Sequence, residues 1–246
     1  MGGRGGASGF PTNAPMIPAT PKSAAETKDL AELQQYMSNI GVTVDTASLS
    51  GQDFENVRGA AAGIERILQE FPQAQRSFNL LRGQDLKHGV MANASYSGNI
   101  TLANHYFSKT ADGLTRTYDG STSKGFHPAG TTKDHIAVHE AGHVLESALI
   151  HKAIPGNDYW DRLDRSAAWN KGTIAGKVIS EACRAAKKTP GGKGLKNDDL
   201  IRNVSGYATR NRSETLAECV ADYAANGTSA KALSVAVWNI LKRELG

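Results

Sequence analysis

The stretch that most restricts the fold is AVHEAGHVLE, residues 137–146, where His139 and His143 stand four apart and Glu140 directly follows the first. On a helix, residues four apart share one face with Cβ atoms about 5–6 Å apart, so two imidazoles can meet one ion at roughly 2.0–2.1 Å. Glu140 then lies about 100° round the helix from His139. That offset suits a base acting on water beside a metal better than a third ligand. Val138, Ala141, Leu145 and Ala148 supply apolar packing, and Thr131 or Thr132 can cap the helix start. Gly142 inside the helix costs about 1 kcal/mol relative to alanine, which implies close approach by another group.

Two nitrogens leave a tetrahedral site incomplete. A third histidine six residues after the second, the metzincin arrangement, would fall on Leu149. His151 comes two places too late, on another face and about 18 Å along the axis from His139. His135 shares the face of His139 but points about 6 Å away from the ion position. Glu146, three after His143, either braces it or faces solvent.

A separate helix is the other source of a ligand. In SGYATRNRSETLAECVADYAANG, residues 205–227, Asn211 and Glu214 form a capping-box pattern followed by apolar Leu216, Ala217 and Val220. Glu214 then sits in a first turn, where a rigid carboxylate can be aimed at a metal. Glu218, one turn on, can accept a hydrogen bond from a ligating imidazole, and Asp222 continues the row. Spacing alone leaves two alternatives: a Glu218 ligand braced by Asp222, or three acids on the wet side of an amphipathic helix.

The rest of the chain frames these segments. Residues 1–22 are expected to be a flexible Gly/Pro-rich leader, 23–50 an N-terminal helix and linker, and 51–246 the main domain. Leu30, Leu33, Tyr36, Met37 and Ile40 keep helical spacing, as do Val57, Ala60, Ile64, Ile67, Leu68 and Phe71. Pro72 breaks the second run, with a further turn or two of helix expected through Leu80 and Leu81. Residues 90–107 alternate in two strand-like halves about Ser97–Asn99. Residues 108–131 read as an irregular loop, and helix is expected from 132, over 158–187, over 211–226 and over 229–245. The fold class is α+β, mostly helical, with a small sheet beside the motif helix. The 99–107 segment is either the edge strand that an extended peptide could pair with or a plain internal strand.

Composition excludes several classes. Apolar residues at 39% and charged residues at 21% fit an ordinary globular protein, and no apolar run approaches a membrane span. The N-terminus has no signal-peptide core, and Gly6 stands where an acylation signal wants Ser or Thr. Cys183 and Cys219 indicate no disulfide framework, so a reducing, cytoplasmic setting is expected. The net charge of +4 is mild. The basic run KKTPGGKGLK, residues 187–196, lacks the phosphate-loop pattern and aromatic residues, so nucleic acid is not an expected partner.

VHEAGH followed by YATRNRSETLAE resembles the catalytic domain of anthrax lethal factor and its relatives, zincins whose third ligand is a glutamate; similar domains occur in proteins of bacteriophages and mobile elements. The likeness covers residues 130–150 and 203–226, about a fifth of the chain. It implies a zinc-dependent endopeptidase of zincin-like fold, with Zn2+ held by His139, His143 and Glu214. It further implies Glu140 as general base, Tyr207 stabilising the tetrahedral intermediate, and Glu218 supporting an imidazole. Tyr207, seven residues before Glu214, favours Glu214 over Glu218 as ligand. A phenol donating to an oxyanion is worth about 2.7–4 kcal/mol if it resembles other such donors, whereas a packed core tyrosine would do nothing of the kind. The implied partner is a protein or peptide substrate, in a host cytoplasm or with a virion. The rival expectation is a phage or mobile-element assembly protein that keeps the fold around a non-catalytic metal.

Overall fold

The motif helix α6 (His135–Ala153) is central to the computed structural model, which describes residues 21–246. Buried residues occupy most of its circumference from Ile136 to Ile150, so this helix is packed on most sides, with His139 and His143 on the partly exposed one. Helices α3 (Phe54–Glu70), α10 (Arg212–Asn226) and α11 (Ala232–Leu245) pack against it, as does the sheet. The approach that Gly142 implies is made by α10: a Cβ at Gly142 would lie 2.8 Å from the Ala217 Cα. Asp53 caps α3 and Asn211 caps α10 through their side chains.

Four short strands form one mixed sheet, β1 (Thr43–Val44), β2 (Leu80–Gln84), β3 (Ala92–Ala94) and β4 (Asn99–Ala103), in the order β1-β2-β4-β3. β1, β2 and β4 run parallel, while β3 returns antiparallel, with Ala92 opposite Leu102 and Ala94 opposite Ile100. The architecture is therefore α+β, predominantly helical. The β3–β4 turn needs glycine at 98, where φ is 80° and a Cβ would sit 1.7 Å from the Ser77 carbonyl oxygen.

Several local expectations are corrected. The linker after α1 (Leu30–Asn39) contains β1 and a short helix α2 (Thr46–Leu49), with Val44 and Leu49 buried in the main core. A 3₁₀ turn over Pro72–Ser77 leads into β2, not into more α-helix. Strand ends at Ala103, and α4 (Asn104–Phe107) follows. The 108–131 loop holds α5 (Ala111–Thr122), capped by Thr110 and anchored only by Leu114 and Tyr118. The single helix expected over 158–187 is two, α7 (Tyr159–Lys171) and α8 (Thr173–Ala186), divided at Gly172 in the left-handed conformation. Helix α9 (Asn197–Val204) precedes the second motif.

Neither threonine caps α6. Thr131 Oγ1 donates to the Pro128 carbonyl and accepts from the Tyr118 hydroxyl, and the Thr132 N–H donates to His135 Nδ1. Cys183 and Cys219 are buried and unpaired. No helix among the described residues is long and apolar enough to cross a membrane. Of the expected leader, residues 1–20 lie outside the described residues.

Candidate metal centre

The site forms where α6 and the first turn of α10 meet. Asn211 Oδ1 accepts the Glu214 N–H at 2.9 Å, which starts α10 and fixes the backbone of its first turn. The Glu214 carboxylate turns toward α6 instead: its Oε2 lies 3.0 Å from His139 Nε2 and 3.3 Å from His143 Nε2. Among the described residues these three form the one group able to hold a metal ion, with ligand atoms within 4.8 Å of one another. Tetrahedral ligands at 2.0–2.1 Å from an ion are separated by about 3.3 Å, so the spacing suits a small divalent cation. The three side chains keep 12%, 14% and 18% exposure, which leaves the cluster open to solvent on one side.

Behind the cluster, His139 Nδ1 lies 2.8 Å from Glu218 Oε1. With an ion in place of the Nε2 proton, a proton kept on Nδ1 would face Glu218 and leave the Nε2 lone pair for the metal. Glu218 is itself fixed, because Ser205 Oγ donates to its Oε2 at 2.7 Å and His127 Nδ1 lies 3.5 Å from Oε1. Burial opposes charge on Glu218, but His127 and His139 outweigh it and hold the carboxyl down at about 2. Burial likewise opposes charge on His139, yet Glu214 and Glu218 lift it well above the usual imidazole range.

Asp222 takes no part in the cluster. It is buried and accepts from Asn226 Nδ2 and the Lys231 N–H, tying the end of α10 to the start of α11. Neither Glu218 nor Asp222 faces solvent, each being 1% exposed, so the wet-face alternative fails.

Glu140 is buried beside the cluster, and burial raises its pKa against the histidines and the Ala94 backbone amide, which lower it. Tyr207 sits in a 3₁₀ turn (Tyr207–Thr209) whose N–H donates to the Phe126 carbonyl. Its ring centre is 5.6 Å from that of His139, and its hydroxyl donates to Glu214 Oε1 at 3.4 Å. Burial and the nearby Glu214 push its pKa up to about 12, so the phenol keeps its proton at neutral pH. The five residues singled out from the sequence, with Glu218 behind them, are thus gathered in one place.

A cleft of about 940 Å³ opens over the site, lined on one side by Val90 and Ala92–Ala94. The edge strand at the cleft is therefore β3; β4, within the 99–107 segment, lies inside the sheet between β2 and β3, which decides for the internal-strand reading of that segment. Sequence spacing groups those residues but cannot order strands paired across a turn. His127 does not line the cleft; its ring stacks on Tyr118 and backs Glu218. Glu146 is neither a solvated residue nor hydrogen-bonded to His143: it is 1% exposed and its Oε1 accepts the Ala175 N–H in the first turn of α8. His135 is engaged by Thr132, and His151 by Tyr96 and the Ser147 carbonyl, both away from the cluster. Ser205 escaped sequence reasoning. Its one signal was a serine three residues before the Ala208 N–H that it accepts.

Compared with known proteins, the chain matches no family model, no curated protein and no solved structure.

Proposed function

We propose that the chain is a zinc-dependent endopeptidase of zincin-like architecture that acts on a protein or peptide substrate. The observation that supports this most is the convergence of His139, His143 and Glu214, their ligand atoms within 4.8 Å of one another, with Glu140 and Tyr207 beside them in an open cleft. Two imidazoles and one carboxylate suit zinc, and three protein ligands with a fourth position left open are the pattern of catalytic sites. When bound, zinc supplies a Lewis acid that polarises a carbonyl and acidifies water.

The chain's own groups supply the rest. Glu140 accepts a proton from the attacking water, a step its raised pKa favours, and then delivers it to the leaving amine. Tyr207 donates its hydroxyl proton in a hydrogen bond to the developing oxyanion, after leaving its contact with Glu214. The Glu218–His139 contact holds the ligand ring in one orientation. The free edge of β3 offers backbone groups to an extended substrate strand. A purely structural ion needs neither a buried glutamate nor a phenol at its open side, and closed structural sites favour four protein ligands.

The test compares zinc-loaded wild type with Glu140→Ala in a cell lysate, mapping new N-termini by mass spectrometry. Wild type is expected to generate cleavages that the variant does not, while both retain one zinc. Equal cleavage by the two proteins would remove Glu140 from the mechanism.

A further inference from the structure

The wall of the cleft beyond the metal cluster is cationic. Lys171, Arg202, Arg210 and Arg212 line it, and Asp198 is the one lining acid apart from Glu140, Glu146 and Glu214. Arg202 lies 3.5 Å from Asp199, whereas Lys171, Arg210 and Arg212 make no ion pair among the described residues. Exposed basic residues usually mean only a solvated surface. These three are gathered in a concavity, where low-dielectric walls focus their field on whatever enters.

Arg210 is also held in place. Its guanidinium carbon lies 4.4 Å from the centre of the Tyr207 ring and 5.9 Å from that of Phe126. Tyr207 in turn lies against His139, so a fixed cation stands one aromatic ring away from a metal ligand. Stacking uses the face of a guanidinium and leaves its edge N–H groups free for a carboxylate in the bidentate arrangement. Arg212 follows two residues later, across Asn211, and adds a second positive charge to the same wall.

We infer that the cleft selects substrates carrying a carboxylate close to the scissile bond, received by Arg210 with Arg212 in support. The inference rests on the peptidase reading above, internal or near-terminal cleavage alike, and names its substrate class: peptides that present a carboxylate near the cleaved bond. The carboxylate can come from an Asp or Glu side chain or from a free peptide C-terminus.

A proteome-derived peptide library, digested by the zinc-loaded full chain and read by mass spectrometry, tests this. One arm carries free C-termini and the other amidated C-termini. Asp and Glu are expected to be enriched about tenfold at a fixed position from the cleaved bond in both arms if side chains are recognised. Cleavage at a fixed distance from the chain end, lost on amidation, identifies the terminal carboxylate instead and equally supports the inference. In either case the preference is expected to collapse in Arg210→Gln and Arg212→Gln, exposed positions where folding is safe, to recover in part in Arg210→Lys, and to weaken with added salt.

Cleavage without acidic preference, or with a preference unchanged in the arginine variants, would overturn this inference and leave the peptidase reading standing. Absence of cleavage by wild type would overturn both. Stronger inhibition by a mixed-sequence single-stranded oligonucleotide than by an oligoglutamate peptide would reassign the cationic wall to nucleic acid and overturn it too.

Discussion

Glu218 lies 2.8 Å from the Nδ1 edge of His139 while its other oxygen accepts the hydroxyl of Ser205, so one buried carboxylate fixes the ring whose far nitrogen faces Glu214. Groups that orient a ligating imidazole typically contribute 10–100-fold to metal affinity. Glu218→Ala is therefore expected to weaken zinc by about that factor, with Glu218→Gln losing less because its amide oxygen can still lie against Nδ1 of the ring. Competition against a chromophoric chelator measures both. Unchanged affinity in Glu218→Ala would mean that the ring is held by other contacts.

Gly142 lets α6 and α10 approach closely enough for their side chains to share one ion. A methyl group there would meet Ala217 at 2.8 Å from Cα and 3.2 Å from Cβ. Overpacking of this kind costs about 1–3 kcal/mol, against a gain of about 1 kcal/mol from alanine's helix propensity. Gly142→Ala is expected to lower stability in urea and also zinc affinity, since α10 carries Glu214. A stabilised variant with normal affinity would contradict this packing argument.

Metal binding should stabilise the folded state. At a free zinc concentration one hundred times Kd, linkage gives about 2.7 kcal/mol, visible as a rise in Tm by calorimetry. The rise is expected to vanish on chelation and to be absent from His143→Ala. A zinc-dependent rise of wild-type size in that variant would place the ion elsewhere.

The N-terminal segment carries its own pH signature, remote from the cleft. The Tyr36 hydroxyl donates to Glu65 Oε1 at 2.5 Å, and the other oxygen of Glu65 accepts the Ala24 N–H. Burial and the adjacent Glu65 raise the phenol from 10.0 to about 12. The folded state thus favours the protonated form. That contribution is whole below pH 10 and is lost as pH rises from about 10 to about 12. Tyr36→Phe is expected to be less stable at pH 8 and to show a shallower decline above pH 10. Parallel profiles for the two proteins would show that the contact carries no such linkage.

Where the sequence was legible, the signal was local. His139 and His143 share a helix face by spacing alone, and Asn211 with Glu214 marks a helix start by its capping chemistry. The helix α5 was hidden because only Leu114 and Tyr118 on it are buried, amid Gly, Ser and Thr. The division of α7 from α8 was hidden because Gly172 looks like a tolerable interior glycine until its φ of 58° is known. Ser205, His127 and Arg210 gain their roles only when two regions distant in sequence, 126–153 and 205–226, are brought together. No periodicity announces such a meeting.

That three side chains from two helices share one ion is tested most directly by zinc titration of the chelator-stripped chain followed by isothermal calorimetry. The expected result is a single site in the wild type, with binding strongly weakened in each of His139→Ala, His143→Ala and Glu214→Ala while all three stay folded by circular dichroism. Zinc bound by Glu214→Ala with wild-type affinity and stoichiometry would contradict it.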